Sequence, residues 1–268
     1  MDWLQALPEK HRRGSLPRCL RLLEGPTNEV AGRLTELIGL SNCQVSRNAR
    51  WWPQGIPREL EGLGWDLRRS EEAKLGKTAD LLSAAQSEKL LDWWLEHRQG
   101  ANVPNWDIVS TCMIDGRDGL LLVEAKAHAS ELSEAGKPLP TTQNGWANHR
   151  KIGRAIADAS CELQEATGKR WALSRDSHYQ LSNRFAWAWK LASMGTPVVL
   201  MYLGFLNAEE MRDCGEPFAD HSAWEALLQS HAREVVPCSV WDATINAAEV
   251  PLLACIRSVY MEFAVMSA

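Results

Sequence analysis

The stretch Trp106-Asp107-Ile108-Val109, continuing through Ile114-Asp115-Gly116-Arg117-Asp118-Gly119 to Leu120-Leu121-Leu122-Val123-Glu124-Ala125-Lys126, decides the fold of this chain. Two β-prone apolar runs flank six residues with two glycines and two aspartates, a combination that predicts a hairpin. Side chains alternate along a strand, so Glu124 and Lys126 share one face while Val123 and Ala125 take the other. The antiparallel return brings Asp107 towards the first face. Glu124 and Lys126 end a run of four apolar residues, where a solvated strand would alternate polar and apolar. A surface hairpin ending in Glu and Lys is the bland alternative. Against it, charges that terminate a buried strand require a role.

Two carboxylates converging at a sheet edge make the hard, oxygen-rich environment that Mg2+ prefers. A lysine beside them suits phosphodiester chemistry, where it stabilises charge developing on phosphorus oxygens or orients the attacking water. The spacing, an Asp followed after sixteen residues by Glu-x-Lys at the end of an apolar strand, resembles the PD-(D/E)XK nuclease superfamily. That resemblance implies an α/β, restriction-endonuclease-like core with a central mixed β-sheet flanked by helices, and helical N- and C-terminal additions. It implies Asp107 and Glu124 as metal ligands, the Ala125 carbonyl as a third, Lys126 as the catalytic lysine, Mg2+ or Mn2+ as cofactor, and DNA or RNA as partner. The same fold is reused by non-catalytic modules that bind nucleic acid or protein, which is the alternative reading.

The resemblance covers residues 78–206. Residues 1–77 read as a helical and irregular N-terminal covering region, and residues 207–268 as a C-terminal covering layer of the same domain. Two departures from the family pattern stand out. Pro104 lies three residues before Asp107 instead of directly before it, and little chain is left for a strand preceding the Asp strand.

Composition sets outer bounds. The 268 residues suffice for one large domain, and a net charge of -5 argues against a generally basic nucleic-acid coat while leaving room for a local one. Thirteen Trp against three Tyr and four Phe is unusual; most sit among aliphatic residues and read as core. The seven Cys are scattered without a Cys-x-x-Cys, which suits reduced, buried thiols in a cytoplasmic protein. No apolar run approaches the length of a membrane span, and the first residues lack a signal-peptide pattern, so the expectation is a soluble protein with no membrane partner.

Along the chain, the Pro26-Thr27-Asn28 start and Gly39 close predict a short helix. A second helix is expected over residues 78–97, with Glu88, Asp92 and Glu96 on one stripe; the resemblance implies an acid from the first core helix near the metal, Glu88 or Asp92, although such stripes are usually solvated. Residues 133–147 form a polar loop too long for a simple connector. The densest basic cluster, His149, Arg150, Lys151 and Arg154, follows it and is the candidate phosphate-contacting surface. Helices are expected over 147–167 and 178–194, then a doubly covered strand over 198–206. In the RecB-like branch of the superfamily, the helix after the Glu-x-Lys strand carries a Gln-x-x-x-Tyr motif. Gln180 matches it, and Arg184 stands where Tyr would be. Repeats, a Gly-rich phosphate loop and a nucleophile elbow are all absent from the sequence.

Overall fold

The computed structural model describes residues 3–56 and 70–261. The hairpin comprises β3 (Ile108–Ile114) and β4 (Arg117–Lys126), joined by Asp115 and Gly116 alone. Both turn residues have positive φ, 50° and 73°. Such a two-residue turn follows the right-handed twist of the strands, and Asp-Gly tolerates its left-handed backbone. Ile108 pairs with Val123 in the resulting register, so Asp107 arrives opposite Glu124.

From Gly119 onwards every residue of β4 is buried. The reason is its place in a seven-stranded mixed sheet of order β1-β3-β4-β5-β7-β6, with β2 also pairing β3. Strand β5 (Val198–Leu206) lies parallel to β4, and β7 (Val250–Tyr260) lies parallel to β5. A parallel pair needs a long crossover, and α5 (Gln143–Thr167) with α6 (Tyr179–Ser193) supplies it between β4 and β5. The architecture is thus α/β with a mixed sheet, as the hairpin and the apolar run at 198–206 predict.

Alternation along the central strands builds two cores. Leu120 and Leu122 of β4, Leu200 of β5 and Ala254 of β7 face a layer that includes Ile156, Phe185, Trp187 and Leu228. Leu121, Val123 and Ala125, with Met201 and Cys255, face Leu22, Val30 and Leu34. The second layer comes from α2 (Ser15–Leu22) and α3 (Thr27–Ile38), the latter closed by Gly39 at φ 64° as its sequence implies. Trp94 and Trp187, both fully buried, meet edge to face with centroids 5.6 Å apart.

Both flanking regions contribute strands as well as cover. The short strands β1 (Cys43–Gln44) and β2 (Trp51–Trp52) pair with β3 and extend the edge for which residues 100–106 leave no room. Trp52 also donates its indole N–H to the Glu71 carbonyl at 2.8 Å, which ties down the Pro-rich loop. At the other end, residues 250–260 are β7, a full member of the sheet, instead of a covering layer. An apolar run does not say which of those two it is. Hairpin partner β6 (Ala243–Ala247) forms the far edge. Helix α4 (Ala84–Trp94) is shorter than expected because Ser83 forms a reciprocal cap with Gln86, fixing the start six residues late. Cys161, Cys214 and Cys238 are exposed, against the expectation of buried thiols, whereas Cys19, Cys43, Cys112 and Cys255 are buried.

Gly204 of β5 marks a close approach between layers. A Cβ there would lie 2.6 Å from the Trp224 ring, and Trp224, on α7 (His221–Ala232), is fully buried. Gly204→Ala is expected to lower stability by about 1–3 kcal/mol, the usual cost of overpacking, as read from chemical denaturation. An unchanged midpoint would mean that α7 yields freely.

Candidate functional site

Pairing of β4 with both neighbours carries Glu124 and Lys126 to the end of the sheet, where α6 crosses over them. There they line an open cleft of about 620 Å³ together with Asp107, Glu72, Glu131, Lys74 and Lys137. Gln180, Asn183 and Arg184 enter from α6.

Asp107 is buried, and its Oδ2 accepts the Ala125 N–H at 2.8 Å. Glu124 has both oxygens engaged: Lys126 donates to Oε1, and Arg184 Nε donates to Oε2 at 2.5 Å. Arg184 is itself held by Asn183 Oδ1 at 2.6 Å and by the Asn105 carbonyl, and its guanidinium lies 4.7 Å from the centre of the Trp106 ring. Such planar stacking and forked donation are what Arg offers and Tyr does not. Gln180 and Arg184 therefore both reach the cleft, with Arg184 bound to the Glu124 carboxylate.

These environments push the two carboxylates in opposite directions. Burial, reinforced by the neighbouring Glu124 charge, drives Asp107 well above the usual carboxylate range. Burial acts the same way on Glu124, but Arg184 and Lys126 together outweigh it and hold Glu124 below its ordinary value. Lys126 is raised despite burial, because Glu124 and Asp107 both favour its charged form.

The sign of each effect on stability follows by linkage. The Glu124 contribution is present above its unfolded value and is lost as pH falls through its depressed one. For Asp107 the reverse holds: its contribution is full below the unfolded value and disappears as pH rises through the elevated one. Asp107→Asn, which retains an oxygen for the Ala125 N–H, is therefore expected to gain in melting temperature over the wild type as pH increases in metal-free buffer. A constant difference across pH would contradict the burial of an ionising Asp107.

A divalent cation fits this donor set. Asp107 keeps Oδ1 for it, and a cation would compensate the two adjacent carboxylates whose joint ionisation now raises Asp107. Glu72 and Glu131 are further oxygen donors on the cleft wall. Glu72 belongs to the N-terminal region and arrives because Ala73 forms an antiparallel bridge with Trp106, its N–H and carbonyl each bonded at 2.8 Å. Its carboxylate accepts from Asn105 Nδ2 at 2.8 Å. A single long-range bridge has no signature in local sequence, so periodicity does not reveal Glu72. Glu131 turns back to accept the backbone N–H groups of Ala127 and His128.

Other candidate residues lie elsewhere. Glu88 is exposed on α4 and is not among the residues of the cleft; it belongs to the solvated stripe, where Asp92 pairs with Arg98 and Glu96 with Lys151. The basic cluster at 149–154 is divided by helical geometry. His149 falls on the inner side of α5 with Ile152 and Ile156 and is buried, its ring edge-on to Trp146. Lys151 is 3.2 Å from Glu96. Only Arg150 and Arg154, four residues apart, share an exposed side, where they line a separate cavity of about 510 Å³ with Arg175. Besides Lys126 and Arg184, the cations lining the carboxylate cleft are Lys74 and Lys137, the latter 4.9 Å above the Tyr179 ring. Lys137 sits in the long polar loop, where its backbone N–H is held by the Arg175 carbonyl at 2.8 Å. Among the described residues no helix is long and apolar enough to cross a membrane.

Comparison with protein-family models, with curated proteins and with solved structures finds no match for this chain.

Proposed function

We propose that this chain is a divalent-metal-dependent nuclease with a restriction-endonuclease-like core, hydrolysing phosphodiester bonds in DNA or RNA. The observation that carries this reading is the gathering of Asp107, Glu124 and Lys126, all buried, on the wall of an open cleft. Ionisable groups perturbed by burial and by specific charge partners in a cleft are candidates for a functional site.

Asp107, Glu124 and the Ala125 carbonyl would hold Mg2+ or Mn2+. The ion would supply water activation and charge neutralisation at phosphorus. Lys126 lies close enough to Glu124 to orient an attacking water or to stabilise charge on a non-bridging oxygen. Arg184 fixes the Glu124 carboxylate from the side of α6. Lys74 and Lys137, on the cleft wall, offer charge to the flanking phosphates, contacts that position the polymer without reading its sequence. The net charge of -5 argues against a generally basic coat, so such contacts would be local.

The full engagement of Glu124 by Lys126 and Arg184 favours a second reading, a non-catalytic module in which the triad is a structural ion network. One screen separates the two. Plasmid DNA, single-stranded DNA and RNA are incubated with the protein in Mg2+, Mn2+ or EDTA, beside Asp107→Asn. The nuclease reading expects cleavage that requires the ion and falls by at least about a hundredfold in the variant, the scale of losing a principal charge-stabilising group. Metal-independent binding of the same nucleic acids without cleavage would establish the module instead.

A further inference from the structure

Beyond the carboxylate cleft, a second group of ligating side chains comes together around a smaller cavity of about 350 Å³ lined by Glu134, His178, His231 and Glu234, among others. Glu134, His178 and His231 each offer one ligand atom, and these atoms lie within 4.8 Å of one another. The three come from distant parts of the chain: the start of the long polar loop, the residue before α6, and the last turn of α7. We propose that Glu134, His178 and His231 form a binding site for a transition-metal ion of the Zn2+ class, separate from the Mg2+-type cleft.

Three observations carry this. First, His178 is more than nine-tenths buried, and its ring makes no hydrogen bond through Nδ1 among the described residues, while Nε2 is the nitrogen that faces Glu134. A buried imidazole with so few partners is costly. Second, the His178 and His231 rings stand with centroids 4.8 Å apart, tilted by 50°, without a hydrogen bond joining them. Burial together with the neighbouring His178 lowers His231, against the opposing charge of Glu134, favouring the neutral ring that ligates metals. Third, the backbone holds the ligands in place. The His178 N–H donates to the Glu134 carbonyl at 2.9 Å, and Ala135 bridges Ser177, so Glu134 Oε1 and His178 Nε2 lie 4.0 Å apart.

Two imidazoles and a carboxylate are the donor set of a borderline ion, whereas Mg2+ prefers oxygen alone. Bonds of about 2.0–2.2 Å require the donor atoms to draw together by about 1–1.5 Å. Glu134, with its side chain 76% exposed, is free to make that adjustment by rotation. Glu234 lines the same cavity and leaves a carboxylate or a water for the fourth position; Arg233, also there, is the one opposing charge of its lining. The ion would fasten the residue immediately before Tyr179 and Gln180, and so hold the end of α6 that supplies Asn183 and Arg184 to the cleft.

The test uses the full chain, stripped with EDTA and titrated with Zn2+ in competition with a chromogenic chelator. One equivalent is expected to bind. Glu134→Gln and His231→Gln should each weaken binding by at least about tenfold, the lower end of the loss seen even for outer-shell partners of metal sites. Asp107→Asn should leave it unchanged. Co2+ in place of Zn2+ should give the visible absorption of a four-coordinate ion without thiolate charge-transfer bands. Absence of Zn2+ binding by the wild type, equal binding in both Gln variants, loss in Asp107→Asn, or thiolate bands from an exposed cysteine would each overturn the site. Should His231→Gln fail a thermal-melt check, Glu134→Gln, altered only at an exposed carboxylate, decides alone.

Discussion

Glu124→Ala is expected to lower folding stability by about 3–5 kcal/mol, the characteristic cost of removing one member of a buried ion pair. The reason is what remains behind. Lys126 and Arg184 are both buried, 5% exposed each, and both point at the missing carboxylate. Two cations would then face each other across a vacated position in a low-dielectric wall. Arg184 retains Asn183 and the Asn105 carbonyl, neither of which carries a charge. For a domain whose net stability is of the order of 5–15 kcal/mol, the loss is large. Glu124→Gln keeps the shape and one acceptor, so its cost should be smaller. Adding Arg184→Met to Glu124→Ala should return part of the loss, since one stranded charge is gone. Urea unfolding of the four proteins reads out this order. A single-variant cost below about 1 kcal/mol, the range of exposed pairs, would show that solvent reaches the network in the folded protein.

The second large effect concerns activity. Lys126→Ala is expected to reduce metal-dependent phosphodiester cleavage by about 10²–10³-fold, equivalent to about 2.7–4 kcal/mol of transition-state stabilisation. Glu124 retains Arg184 as its partner in this variant, so the stability loss should be well below that of Glu124→Ala. That separation of folding from activity is the useful signature. Lys126→Arg, which restores charge at altered reach, should recover a minor share of the rate. Single-turnover cleavage of an end-labelled strand in Mn2+ measures both. Full activity in Lys126→Ala would remove the lysine from the chemistry and leave it a structural partner of Glu124.

The parts of the fold written in local periodicity were legible in the sequence. The hairpin turn at Asp115-Gly116, the doubly covered strand at 198–206 and the helix ended by Gly39 all depend on residues near one another in the chain. The alternation that places Glu124 and Lys126 on one face is of the same kind. What could not be read depends on partners far away. Whether residues 250–260 cover the sheet or join it is decided by β5, and an apolar run satisfies either arrangement. Glu72 reaches the cleft through one bridge between Ala73 and Trp106. The basic cluster failed as a single surface for a different reason. A count of basic residues over 149–154 says nothing of which positions a helix turns inward, and the buried stripe of α5 takes His149. Glu134, His178 and His231 are separated by α5, α6, β5 and most of α7, so no spacing motif announces them.

The pairing of Glu124 with two cations bears on how ligands would enter. Each carboxylate oxygen keeps a second lone pair, so an incoming ion would share an oxygen with Lys126 or Arg184 or displace one of them. Under the proposed nuclease function, a displaced cationic side chain would find its next partner in a phosphate of the nucleic acid. Polymer and ion would each strengthen the binding of the other, by the same factor in both directions as reciprocity requires. In that scheme Lys126 and Arg184 would act as a latch over Glu124 in the resting cleft.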